Sequence, residues 1–191
     1  MRAFLAVFPN KDLLKSFDEV KKRLYQYKRF IRFVKTSDIH ITIRYLGTFI
    51  EKSESDRLMR ELKEYLIDFK KFSIKMNNLE FGFRSQKWPK ILYASVFRNG
   101  SLNKLNSKIN DVINDLELVK FQQYVEYNPI YHFTIGRKKK DMSRNMVNKI
   151  KSLLRKIDFS EGFIVRKLNL ISSKITSNGP VYTKIDSIDF K

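Results

Sequence analysis

The stretch "DIHITIRYLG", residues 38–47, decides the reading, because its central feature returns in "IYHFTIGRKK", residues 130–139. Each run places His, one apolar residue and Thr inside an apolar segment, and His40 and His132 are the only histidines in the chain. Extended backbone alternates its side chains, so His40 and Thr42 share one face while Ile39, Ile41 and Ile43 share the other. In the second copy His132 and Thr134 lie opposite Tyr131, Phe133 and Ile135. The chain has six threonines in 191 residues. Thr at +2 from both histidines is then roughly a one in a thousand coincidence. Two rigid polar pairs, each backed by core, are what a preorganised site requires.

The bulk numbers allow one sizeable core: 191 residues, 22.9 kDa, 42% hydrophobic. Cysteine is absent, which removes disulfides, thiolate nucleophiles and Cys-zinc sites together. The opening "MRAFLAVFPNKD" has an apolar run too short for a signal segment or a membrane span, so a soluble cytoplasmic protein is expected. Lys and Arg total 39 against 20 Asp and Glu, a net charge of +19, which draws polyanions. With 16 Phe and 9 Tyr also present, nucleic acid is the favoured partner over a merely solvated basic surface.

Four segments carry a helical period. Leu13, Phe17, Val20 and Leu24 follow an Asn10 cap; Leu58, Leu62, Leu66 and Phe69 follow a Ser53/Ser55 cap region. Leu102, Leu105, Ile109, Val112 and Leu116 form the third stripe, and Met146, Ile150, Leu153 and Ile157 the fourth, after Asp141 or Ser143. Strand-like runs lie between them at 2–8, 39–47, 73–83, 90–97, 131–136, 163–172 and 181–190. No linker divides the chain, so any lobes must share strands or pack closely, and residues 1–191 read as one compact unit. The order strand, helix, His strand, helix in residues 2–70 is echoed by residues 90–157. A pseudo-two-fold relation would let the two motifs face each other across a groove.

Two imidazoles can work as an acid and base pair near neutral pH, since the free side chain titrates at about 6.5. A threonine hydroxyl two residues on can hold a non-bridging phosphate oxygen and stabilise a pentavalent transition state without a metal. A metal site is poorly supplied: there is no third His, no Cys and no carboxylate at ligand spacing. Serine-hydrolase and P-loop motifs are missing as well. Arg44 falls on the His40 face by strict alternation, either as a contact to phosphate or RNA or as a rim arginine.

Paired His-x-Thr strands of this kind resemble the 2H phosphoesterase superfamily, in particular its RNA 2′,3′-cyclic phosphodiesterase branch, also called 2′-5′ RNA ligases. The likeness spans nearly the whole chain: "MRAFLAVF" resembles the family's opening strand, "HITIRYLG" its first motif, and "HFTIGR", with Arg137, its second. "LISSKITSNGPVYTKID" resembles its closing hairpin, with Ser173 and the 179–182 turn in order. Where the family often has Pro before the second His, this chain has Tyr131.

The resemblance implies an α+β, bilobal fold: two pseudo-symmetric antiparallel β-sheets around a central cleft, helices on the outer faces. It implies metal-independent hydrolysis of a terminal RNA 2′,3′-cyclic phosphate to a 2′-phosphate, with His40 as proton donor and His132 as proton acceptor. Thr42 and Thr134 would grip the phosphate and Arg137 would clamp it, with no cofactor and a monomer needing no membrane or protein partner. Two other readings stay open: a non-catalytic RNA-end-binding module, and a 2H phosphodiesterase acting on 2′-5′ linked oligonucleotides or a small cyclic nucleotide.

Overall fold

Apolar residues spaced by three and four put Leu13, Phe17 and Val20 on one face of α1 (Lys11–Arg23), whose first turn is capped where Asn10 Oδ1 accepts from Leu13 N at 3.0 Å. The computed structural model describes residues 1–48, 50–83, 88–122, 129–177 and 179–191. Among them the remaining helices are α2 (Lys52–Tyr65), α3 (Gly100–Asp115), the short α4 (Val119–Gln122) and α5 (Arg144–Arg155). The strands are β1 (Arg2–Val7), β2 (Ile31–Phe33), β3 (Ile41–Gly47), β4 (Phe72–Phe81), β5 (Ile91–Val96), β6 (His132–Lys138), β7 (Gly162–Val165), β8 (Lys167–Thr176) and β9 (Gly179–Asp189).

These strands build two antiparallel sheets, ordered β3-β1-β8-β9 and β2-β6-β5-β4-β7. The expected bilobal α+β architecture is the one observed. β3 beside β1 in one sheet matches β6 beside β5 in the other, and β2 has no counterpart in the first sheet. Each pair is joined through a helix, α1 in the first half and α3 in the second. The lobes interlock because β2, from the first half, pairs with β6 in the second sheet, while β8 and β9 return to complete the first. One continuous core runs between sheets and helices; Phe17 of α1 packs 5.2 Å from Phe133 of β6.

Several expectations need correction. β2, a three-residue strand, was not anticipated, since "IRF" is too short to show a period. The run 163–172 is two strands, because the chain leaves one sheet as β7 and enters the other as β8 around Arg166. The N-cap of α2 is Glu51, in a capping box with Glu54, rather than Ser53 or Ser55. In α5, capped by Ser143, the buried face is centred on Val147, Ile150 and Leu154, with Met146, Leu153 and Ile157 flanking it.

The correction with most consequence concerns Arg44. In the pairing of β3 with β1, Ala6 lies opposite Thr42 and Leu5 opposite Arg44, so Ile43 is an extra residue in a β-bulge. Alternation breaks there, and Arg44 turns from the His40 face into the interior. It is 3% exposed, its Nε donating to Asn110 Oδ1 at 2.8 Å and its Nη2 to the Phe121 carbonyl at 2.7 Å. Arg44 therefore ties β3 to α3 and α4 instead of facing a ligand. Replacing it by Met removes charge-assisted bonds and strands buried acceptors, a loss of about 2–4 kcal/mol. A urea midpoint that falls accordingly at constant m is the expected result; a loss below about 0.5 kcal/mol would instead mark a surface position.

Candidate active site

Both histidines enter their strands the same way. His40 Nδ1 lies 2.7 Å from the carbonyl of Asp38, and His132 Nδ1 lies 2.7 Å from the carbonyl of Ile130, two residues earlier in each case. A carbonyl only accepts, so each Nδ1 carries the hydrogen and each neutral ring keeps its lone pair on Nε2. The supporting backbone is anchored. Asp38 ends a 3-10 turn (Thr36–Asp38) whose Thr36 hydroxyl donates to Asp18 of α1 and accepts from Lys21 Nζ at 2.7 Å. That hydroxyl is also the main reason the Asp18 carboxyl titrates below its usual range. On the other side Tyr131 donates its hydroxyl to the Leu102 carbonyl of α3 at 3.2 Å.

Core residues fill the reverse side of both motifs: Ile39, Ile41 and Ile43 in one, Tyr131, Phe133 and Ile135 in the other, all buried. Thr42 is exposed and Thr134 half-buried, each two residues along from its histidine. The second motif carries the same bulge as the first. Tyr93 lies opposite Thr134 and Leu92 opposite Gly136, which makes Ile135 the extra residue. Here the broken alternation brings Arg137, three residues past Thr134, onto the cleft face. Its counterpart in the first motif is Tyr45, and Gly136 corresponds to the buried Arg44. Gly136 has no room for a side chain: a Cβ there would come 2.7 Å from Ile31 Cγ2.

Aromatic rings enclose the imidazoles. Phe4 stacks on His40 at 4.8 Å, Tyr182 meets it edge-on at 5.2 Å, and Phe8 lies 5.7 Å away. Phe83 and Tyr93 meet His132 edge-on, each at 5.3 Å. Desolvation by this cage is the largest cause lowering the pKa of His40 to about 4, and the charges of Arg137 and His132 lower it further. The Asp38 carbonyl and carboxylate oppose the shift. Tyr182, its hydroxyl pKa raised by burial, feels Arg137 through both charge and hydrogen bonding. His40, His132, Arg137 and Tyr182 thus bear on one region between the lobes. Arg32 of β2, paired in register with Arg137 and exposed, reaches the closing hairpin, its guanidinium within 4 Å of where a Cβ on Gly179 would lie.

Phe4, Phe8 and Arg32 were not singled out from the sequence, and Tyr182 figured there only within the expected 179–182 turn, a stretch that is instead the start of β9. Tyr182 and the two phenylalanines sit on strands whose alternation could have placed them; Arg32 lies in the strand that had no readable period. Among the described residues no three His, Cys, Asp or Glu side chains gather as a metal-binding group, and no helix is long and apolar enough to cross a membrane.

No family model matches the chain. It is 28% identical over 186 residues to an Aquifex aeolicus protein named RNA 2′,3′-cyclic phosphodiesterase, covering 97% of this chain and 95% of that one. Among solved structures, a Thermus thermophilus protein superposes with a TM-score of 0.82 at 17% identity, covering 100% of this chain and 98% of the other. Escherichia coli LigT complexed with 3′-AMP superposes with a TM-score of 0.71 at 13% identity, covering 99% and 96%. The chain has the 2H phosphoesterase fold. The resemblance drawn from the two His-x-Thr strands is borne out, and within this fold the paired motifs occupy matching strands of the two lobes.

His40 gives the stability of this protein a pH signature. Its folded pKa of about 4 lies below the ordinary value of about 6.5, so the unfolded chain binds the proton more tightly. Stability contributed by neutral His40 is complete above pH 6.5 and is lost as pH falls through the window down to 4, with a slope of at most about 1.4 kcal/mol per pH unit. Titration by NMR is expected to show His40 carrying the hydrogen on Nδ1 and protonating near pH 4. His40→Gln should flatten the acid limb of the stability profile; an unchanged limb would contradict the assignment.

Proposed function

We propose that the protein hydrolyses a terminal RNA 2′,3′-cyclic phosphate to a 2′-phosphate, using its two histidines as acid and base. The observation that carries this reading is the duplicated Nδ1 to carbonyl bond, which leaves two Nε2 atoms as the reactive positions in one basic cleft. Supporting it, the curated relatives bear the name of that activity.

In this scheme the cyclic phosphate lies between the motifs, its non-bridging oxygens taking hydrogen bonds from the Thr42 and Thr134 hydroxyls and charge from Arg137. His132 Nε2 accepts a proton from water as the water oxygen bonds to phosphorus. The P–O3′ bond on the opposite side breaks, and protonated His40 gives its Nε2 proton to the departing O3′. Phosphorus stays on O2′, and solvent restores both protonation states. His40 is neutral at pH 7 on its own, and binding of the anionic phosphate offsets its desolvation so that Nε2 takes up a proton from solvent. A proton held this weakly is then readily released. No step in this scheme calls for a metal, and EDTA is expected to leave the rate unchanged.

The depressed pKa of His40 favours one second reading, in which His40 takes the proton from water and His132 donates to O3′. The two are separable. His40→Ala and His132→Ala should each lower kcat by at least a factor of about 10² while leaving the fold intact. A substrate with a 3′-thio leaving group needs no proton on departure, so it should restore turnover to whichever variant lacks the acid. Rescue of His40→Ala supports the first scheme and rescue of His132→Ala the second; wild-type rates in either variant would remove the histidines from catalysis altogether.

A further inference from the structure

If His40 protonates O3′, as in the scheme proposed above, in-line geometry puts the terminal ribose on the His40 side of the phosphate, and the RNA chain must leave the cleft there. Phe8, Tyr182 and Asp38, all neighbours of His40, border a hollow of about 610 Å³ on that side. Beyond it lies a second hollow of about 510 Å³, formed where β4, β7 and the segment after β5 meet. Phe163 and Ile164 of β7 line both, so the two adjoin and form one trough.

We propose that this trough holds the RNA on the 5′ side of its reacting end, making an oligonucleotide rather than a mononucleotide the preferred substrate.

Its charge fits a polyanion. Arg166 and Lys184 line the first hollow and Lys75 and Arg98 the second, all four exposed. Asp38 is the one carboxylate among the described residues that line either. Cations and apolar side chains lining one trough are the combination that holds a single strand, phosphates on the charges and bases on the flat side chains. Phe97, 49% exposed, offers such a surface in the second hollow, beside Ile164, also 49% exposed. The rim is fixed in advance of binding: Phe97 N donates to the Lys75 carbonyl at 3.0 Å, and Asn99 Nδ2 to the Ser73 carbonyl at 2.9 Å. A rival groove along α5, beside Phe83, carries Arg144, Lys151 and Arg155, but Glu80 and Asp158 share its walls.

The test compares uridine 2′,3′-cyclic phosphate with a ten-nucleotide RNA ending in the same group, and measures binding of the 3′-hydroxyl form of that RNA across a salt series. Lys75→Gln with Arg98→Gln should raise KM for the ten-mer about 5- to 10-fold and lower the salt slope of binding by about 1.4, while kcat and the KM for the mononucleotide stay within about twofold. Phe97→Ala should weaken the ten-mer about 5-fold or more. Lys70→Gln with Lys104→Gln removes equal charge elsewhere and controls for net charge. The inference falls if the trough variants match that control, or if Arg144→Gln with Lys151→Gln produces the loss instead. Should wild-type protein turn over neither cyclic phosphate, the binding series still decides the RNA path, and only the catalytic reading fails.

Discussion

A backbone carbonyl two residues before each histidine accepts the Nδ1 hydrogen of that histidine, and the chemistry of the site depends on this bond. It fixes tautomer and ring orientation together. An imidazole on an exposed strand end would otherwise sample rotamers and both neutral tautomers, and would meet a phosphate in the reactive form only part of the time. The bond in turn depends on the turn that carries the carbonyl. For His40 that turn is held to α1 through Thr36, Asp18 and Lys21; for His132 the strand entry is held to α3 through Tyr131. Through these bonds α1 and α3 fix the backbone that orients each ring.

A bulge just past the threonine of each His strand does the remaining positioning. The bulges at Ile43 and Ile135 fall at the same place in the two motifs, one residue beyond Thr, and each reverses the face of the residues that follow directly. In the first lobe the result is a buried arginine that binds helices to the sheet; in the second it is an arginine delivered to the cleft. The same local geometry therefore yields opposite fates for Arg44 and Arg137. Because Arg137 depresses the proton affinity of His40 from the opposite lobe, the two halves are coupled electrostatically as well as by strand exchange.

Much of this architecture was legible beforehand, for physical reasons. The His-x-Thr faces, the Asn10 cap, the four helical stripes and most strands follow from periods of 2 and 3.6, which burial enforces along long elements. What escaped were features set by pairing rather than by pattern. A bulge is defined by the partner strand, so alternation read along β3 alone misplaced Arg44. The switch of sheets around Arg166 is marked in the sequence only by the charged pair Arg166 and Lys167, too short an interruption to divide the run, so β7 and β8 read as one strand. Tyr182, close to His40 in space and 142 positions away in the chain, became part of the site only through the docking of β8 and β9 onto β1. The depressed pKa of His40 likewise comes from a cage assembled by strands distant in sequence.

The central claim is that both Nε2 atoms address a single phosphorus. A crystal structure of the protein with inorganic phosphate tests it most directly. The account predicts one phosphate between the lobes, with His40 Nε2, His132 Nε2 and the Thr42 and Thr134 hydroxyls each about 3 Å from its oxygens. A phosphate bound elsewhere, or one held by a single motif while the other imidazole faces away, would contradict it.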